Sequence, residues 1–157
     1  MPKYKTLQEA YEECQGQGLL RFQEDIDTAK IKHMVVLSQA DLDSAKRLSA
    51  ALAKESTGWN TIYKLHYDAL HSLVEALLRF DRIKSSNHQC LFAHLCQEHP
   101  ELELNWDFFE KIRTKRNGII YYGSPIHYED WQEIKVQIPL YIQTIKRVIE
   151  EKLRREE

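Results

Sequence analysis

The chain has 157 residues, 43% hydrophobic and 29% charged, with 5 glycines, 4 prolines and a formal net charge of −2. That is enough chain for one domain with a real core, and so few turn formers speak against an all-β fold. The balanced charge excludes a chain-wide attraction to nucleic acid, so any such binding must use a local basic patch.

In chain order, the periodicity predicts a first short helix over Thr6–Gln15, ended by Gly16 and Gly18. Leu19, Leu20 and Phe22 follow as an apolar connector. A long helix is expected from Thr28 to Lys54, with Asp27 as its cap and Ile31, Val35, Leu42, Leu48 and Leu52 inward. Ser56-Thr57-Gly58 stops it. The next helix runs from Asn60 to Ile83 and buries Ile62, Ala69, Leu70, Leu73, Val74, Leu77 and Phe80. Asn87 can cap a shorter helix to Glu98, which Pro100 ends. A further helix spans Asn105–Tyr121, broken by Gly123-Ser124-Pro125. The last runs from Tyr128 to the C-terminus, with Trp131, Ile134, Ile138, Ile142, Ile145 and Ile149 at helical spacing and a kink expected at Pro139. The expected fold is all-α: an up-and-down four-helix bundle over residues 27–157 with an extra N-terminal helical appendage over 1–26.

Three cysteines, Cys14, Cys90 and Cys96, without a CxxC pair read as no disulfide framework and a reducing compartment. The N-terminal Met-Pro-Lys-Tyr-Lys lacks a signal-like apolar core, and no window approaches the ~18 apolar residues of a membrane span. The expected location is the cytoplasm, with no membrane partner.

The most informative stretch is Lys111 to Gly123. Phe109, Ile112, Ile119 and Ile120 make an apolar helical stripe, and Arg116 falls near its middle. A guanidinium keeps its charge, so burying it unpaired is very costly. Either the stripe faces a cleft or partner holding something anionic, or Arg116 is paired inside with a carboxylate such as Asp68 or Glu75. Lys111, Arg113 and Lys115 surround it; the two lysines are explained by a solvated helix end, where cations favour the dipole. Gly118 costs about 1 kcal/mol in a helix, which is tolerated where another group comes close or the helix ends.

Arg116-Asn117-Gly118-Ile119-Ile120-Tyr121-Tyr122-Gly123 resembles the signature of HEPN domains. The stretch from Lys64 to Leu78 is similar to that family's second core helix, and Ser86 to Phe92 to the start of its third. Leu7 through Leu48 also resembles members that act as toxin partners of small nucleotidyltransferases. The resemblance implies a homodimer whose two motifs meet across the interface, and in many members a metal-independent RNase. It implies an MNT-type nucleotidyltransferase antitoxin as partner, RNA or a nucleotide as ligand, and no cofactor. Arg116 matches the motif arginine and Asn117 its polar follower, while the motif histidine falls on Tyr121. Tyrosine, with a pKa near 10, is a poor general base, so the catalytic role of Arg116 with Tyr121 is weakened while anion binding survives. Arg113, Asn117, Tyr122 and His66 are the accompanying binding candidates. In a regular helix Arg116 and Tyr121 differ by about 140° around the axis, which assembly from two chains would avoid.

His88, Cys90, His94, Cys96 and His99 form a second cluster, whose spacing fits no standard zinc pattern and reads as core thiols and surface imidazoles, with no metal. His66 falls on the inner stripe of its helix and reads as a buried, hydrogen-bonded histidine more readily than as a catalytic one. Tyr63 and Tyr67 can line the same cleft. His127, beyond Pro125, could fold back toward Arg116. No phosphate-binding glycine loop or nucleophile elbow is present. A purely structural helical scaffold is the remaining alternative.

Overall fold

A computed structural model describes residues 4–156. Met1–Lys3, part of the stretch expected to lack a signal-like core, and Glu157, the end of the expected last helix, lie outside the described residues. The fold is all-α: α1 (Leu7–Gly16), α2 (Thr28–Ala51), α3 (Trp59–Phe80), α4 (His88–Glu98), a 3-10 turn (Pro100–Leu102), α5 (Trp106–Tyr122), α6 (Tyr128–Ile134) and α7 (Gln137–Glu156). Two short strands, β1 (Arg21–Phe22) and β2 (Ile83–Lys84), pair antiparallel. Among the described residues, no helix is long and apolar enough to cross a membrane.

The caps are local chemistry. Thr6 and Glu9 form a reciprocal capping box on α1, and Asp27, Asn87 and Asn105 accept the Lys30, Cys90 and Phe108 amides at the starts of α2, α4 and α5. At Gly58, in the tight α2–α3 turn, a Cβ would press on the Leu52 side-chain end at 2.7 Å, which would have to shift. Helix α3 is the organising element. It packs against α2, α4, α5, α6 and α7, and Tyr67, Leu70, Leu73, Val74, Leu77 and Leu78 along it are at most 1% exposed. Each large apolar side chain so buried contributes about 1.5–3 kcal/mol. Phe92 of α4 stacks on Phe109 of α5 at 4.7 Å and closes the core beside it.

Three expectations are corrected. The last helix is not one kinked rod: it breaks at Lys135-Val136, and Pro139 lies in the first turn of α7. There its missing N–H would have had no helical acceptor, so the proline starts a helix instead of bending one. The third helix ends at Phe80, not Ile83, because Ile83 is drawn into pairing with Phe22. Most consequentially, Cys14 and Cys90 form a disulfide with Cα atoms 5.7 Å apart, while Cys96 is free and buried. The partners lie 76 residues apart, a separation no local spacing rule detects. The bond clamps α1 to α4, and Trp106 Nε1 donates to the Lys5 carbonyl at 2.8 Å, so the N-terminal segment is stitched to the rest at both ends. With that bond, the cysteines no longer indicate a reducing compartment.

Candidate functional site

Three helices converge on Arg116. From α5, residues Glu110, Arg113 and Arg116 fall three apart and share one side. From α3 come Tyr67, Asp68 and His71, and the capped first turn of α4 supplies His88 and Gln89.

Arg116 is neither hanging in water nor fully sealed; its side chain is 20% exposed. Its guanidinium lies 5.3 Å from the centre of the Tyr67 ring and meets Asp68 through one long contact of 3.5 Å. Its Nε is buried with no hydrogen-bond partner. The expected alternative of pairing with Asp68 is thus what the fold builds, though as a weak, single contact to a carboxylate that is itself 46% exposed. Burial pushes the Asp68 carboxyl above its ordinary range, against the pull of Arg116 and Lys64. Arg113 is held far more firmly. It makes two hydrogen bonds of 2.9 and 3.0 Å to Glu110, a carboxylate 2% exposed that also accepts from Gln89 at 3.0 Å. Arg113 is therefore a structural fork, and its charge is spent inside the protein.

Two histidines stand beside Arg116. The His71 and His88 rings stack at 3.7 Å, and Tyr67 Oη shares a 2.9 Å hydrogen bond with His88 Nδ1. His71 Nε2 is buried without a partner. Burial, then the neighbouring His88 and Arg116, push His71 down to about 3. Burial, then Arg116 and Arg113, also lower His88. Burial raises Tyr67 above its ordinary value, opposed by both arginines. At neutral pH the cluster is one exposed-edge cation, two uncharged imidazoles and an uncharged phenol.

The other expected residues are placed differently. Asn117 is half-buried next to Arg116. Tyr121 and Tyr122 are 71% and 82% exposed at the end of α5, and no ring contact or hydrogen bond among the described residues joins Tyr121 to Arg116. Helix α5 stays regular through Tyr122, so the 140° separation stands. His66 lies apart. Its Nδ1 bonds the Ile62 carbonyl at 2.9 Å and its ring packs 4.4 Å from Trp131, in the wall of a separate groove of about 600 Å³. His127 is exposed and starts α6, its amide donating to Asp130. Lys111 and Lys115 pair with Glu133 and Asp130 at 2.8 and 3.0 Å, so the basic run is dispersed into separate ion pairs. Gly118 answers no close approach: a Cβ there would meet only Ser124 at 3.7 Å. Its carbonyl accepts the Ser124 amide at 3.0 Å, marking the helix end. A groove of about 1070 Å³ lined by Lys111, Lys115, Gly118 and Ser124 runs along α5 but does not include Arg116.

Sequence reasoning missed that His71 and His88 join Arg116, and that Glu110 anchors Arg113. A signal for the first was present. His71 follows Tyr67 by four and Asp68 by three, so naming Asp68 as the arginine's partner also placed this imidazole on the same face. The pairing of His88 with His71 had no such signal, since it depends on how α4 meets α3. Comparison with family models, with curated proteins and with solved structures finds no match to this chain.

Proposed function

We propose that the Arg116 cluster binds phosphate groups of RNA or of a nucleotide, in a toxin-like HEPN-type protein that works with a minimal nucleotidyltransferase. The observation that carries this reading is the under-used guanidinium: one long contact to a half-exposed carboxylate, a buried Nε without a partner and an aromatic ring behind it. A phosphate offers such a fork two or three short charge-assisted bonds and would displace Asp68. In this reading Asn117 lies at the edge of the cleft, and a second copy of the chain approaches over the exposed end of α5, where Ile120, Tyr121 and Tyr122 are uncovered. Cytoplasmic placement follows from the ligand; counting free thiols in protein extracted under thiol-blocking conditions checks it against the Cys14–Cys90 bond. Fluorescence anisotropy with labelled single-stranded RNA tests the binding. Arg116→Ala should weaken it about 10- to 100-fold, the worth of a charged hydrogen bond. Equal binding by wild type and variant removes the proposal.

A second reading is a metal-independent endoribonuclease, favoured by the two imidazoles beside the arginine. The 2′-hydroxyl would attack its own 3′-phosphorus while His71 Nε2 takes the proton. The P–O5′ bond would break with a proton delivered to the leaving oxygen from His88, which the bound phosphate would hold as an imidazolium, giving a 2′,3′-cyclic phosphate and a 5′-hydroxyl. Arg116 would stabilise the charged phosphorane. A bound phosphate raises the proton affinity of the nearby rings, which offsets the lowering at His88, while His71, pushed down to about 3, stays the uncharged base. Cleavage of RNA in EDTA that is lost in His71→Gln and Arg116→Ala supports this; no cleavage by wild type removes it.

A further inference from the structure

The second histidine cluster of the sequence is taken apart by the fold. Cys90 goes to the disulfide and His88 to the Arg116 cluster, while His94 and His99 turn together onto a residue outside that cluster, Asp81. Asp81 is the C-cap of α3. His94 Nε2 is 3.1 Å and His99 Nε2 2.6 Å from the same carboxylate oxygen, and the three ligand atoms all lie within 4.8 Å of one another. In an unbroken helix positions five apart point about 140° away from each other. Here α4 stops at Glu98 and His99 adopts φ −125°, ψ 55° ahead of Pro100. That bend swings the second imidazole back beside the first.

The surroundings are those of a ligand set more than of a surface ion pair. His94 is 7% exposed, and the side chains of His99 and Asp81 are 11% and 24% exposed. His99 Nδ1 faces the Glu101 carboxylate at 3.2 Å, so the ring's other nitrogen has an outer acceptor. A carboxylate behind a histidine in this way fixes its tautomer, leaving the Nε2 lone pair toward the cation, and raises its strength as a ligand. We propose that Asp81, His94 and His99 bind a zinc ion, with water completing the tetrahedron. Two imidazoles and one carboxylate suit zinc, whose bonds of about 2.0–2.1 Å require ligand atoms to spread to only about 3.3 Å apart. The ion would clip the end of α3 to the junction of α4 and the 3-10 turn. The ligands are unequal. His94 Nδ1 is buried with no partner, so with zinc on Nε2 its ring proton goes unpaired. His99, backed by Glu101, is the stronger of the two.

The test uses the full chain, stripped with EDTA and dialysed, with its disulfide intact. Titration calorimetry with zinc chloride should show one ion per chain with a micromolar or tighter dissociation constant. Glu101→Gln, an exposed change that leaves the core alone, should weaken binding about tenfold, and His99→Gln should abolish it with an unchanged circular-dichroism spectrum. Cobalt(II), loaded into the unaltered protein, should give visible bands of a four-coordinate nitrogen–oxygen site. They should lack sulfur charge-transfer absorption, because Cys96 is not a ligand. No zinc uptake below 100 µM overturns the proposal, and so does uptake indifferent to both His99→Gln and Glu101→Gln, or a sulfur-ligated cobalt spectrum. A folded, metal-indifferent protein would mean that the three residues are only an ion-paired lock.

Discussion

The two ends of helix α4 carry histidines in opposite electrostatic settings. At its start, His88 stacks on His71 beside Arg116, and burial with two neighbouring arginines lowers its proton affinity. At its end, His99 sits between Asp81 and Glu101, and the hydrogen bond to Asp81 raises its proton affinity despite burial. One ring sits on the first residue, and the other just past the last residue, of one rigid rod of about 16 Å. What differs is the sign of the charge that other elements bring to each end. The first setting keeps imidazoles neutral next to a cation, which suits binding an anion; the second gathers carboxylate and imidazole, which suits a cation. Residue type alone is a poor guide to histidine chemistry.

The largest expected effect comes from removing what holds one end and leaving the other. Phe92 is fully buried, edge-on to Tyr67 and His71 and stacked on Phe109. Phe92→Ala should cost about 3–5 kcal/mol in urea unfolding. It should weaken RNA binding at the Arg116 cluster more than zinc binding at the other end; equal losses would show that the two ends are not separable. Opening the Cys14–Cys90 bond frees the face of α4 between the clusters. Cys14→Ser should cost about 2–4 kcal/mol, read as the difference in urea unfolding free energy from the oxidised protein. An unchanged midpoint would mean that packing alone holds α1 on α4.

A smaller effect is expected at the α4 cap. Asn87→Ala removes the 3.0 Å bond to the Cys90 amide and should cost about 1 kcal/mol by the same unfolding measurement. It should perturb the neighbouring His88 but not His94 or His99, visible as a shift in the imidazole NMR signals of only the first ring. The subtlest difference is in pH dependence. His71 has a folded value near 3, below the ordinary 6.5, so its contribution is present above pH 6.5 and lost as pH falls below it. His99 has a raised folded value, so its contribution is full below about 6.5 and lost as pH rises through that raised value. Thermal melts from pH 5 to 8 should therefore show His71→Phe flattening the acid limb and His99→Gln the alkaline limb. The same limb affected by both would contradict the opposite charge settings.

Much of the fold was readable in advance because its signals are local. Asp27 and Asn87 read as caps and Asn105 as a helix start, Gly58 and Pro100 read as stops, and the inward faces of α3 and α7 follow helical periodicity. The failures share a cause. The β1–β2 pairing, the Cys14–Cys90 bond and the meeting of His71 with His88 are contacts between distant segments, invisible to any window along the chain. Pro139 starts a helix for a related reason: the same residue that kinks a helix interior is welcome in its first turn, and where that turn begins depends on the break at Lys135-Val136.

For the candidate site, the odd position of Arg116 on an apolar stripe was legible, since a helix repeats every 3.6 residues and a guanidinium cannot shed its charge. Asp68 as its possible partner was legible too. Which cations stay available was not: Lys111, Arg113 and Lys115 look alike in sequence, and only the placement of Glu133, Glu110 and Asp130 neutralises them. The sequence by itself determined that the chain is helical, roughly where most of the helices run and the stripe that carries an arginine. The tertiary structure alone decided which charges meet, because electrostatic partners are set by distances of a few ångströms between segments that the chain order keeps far apart.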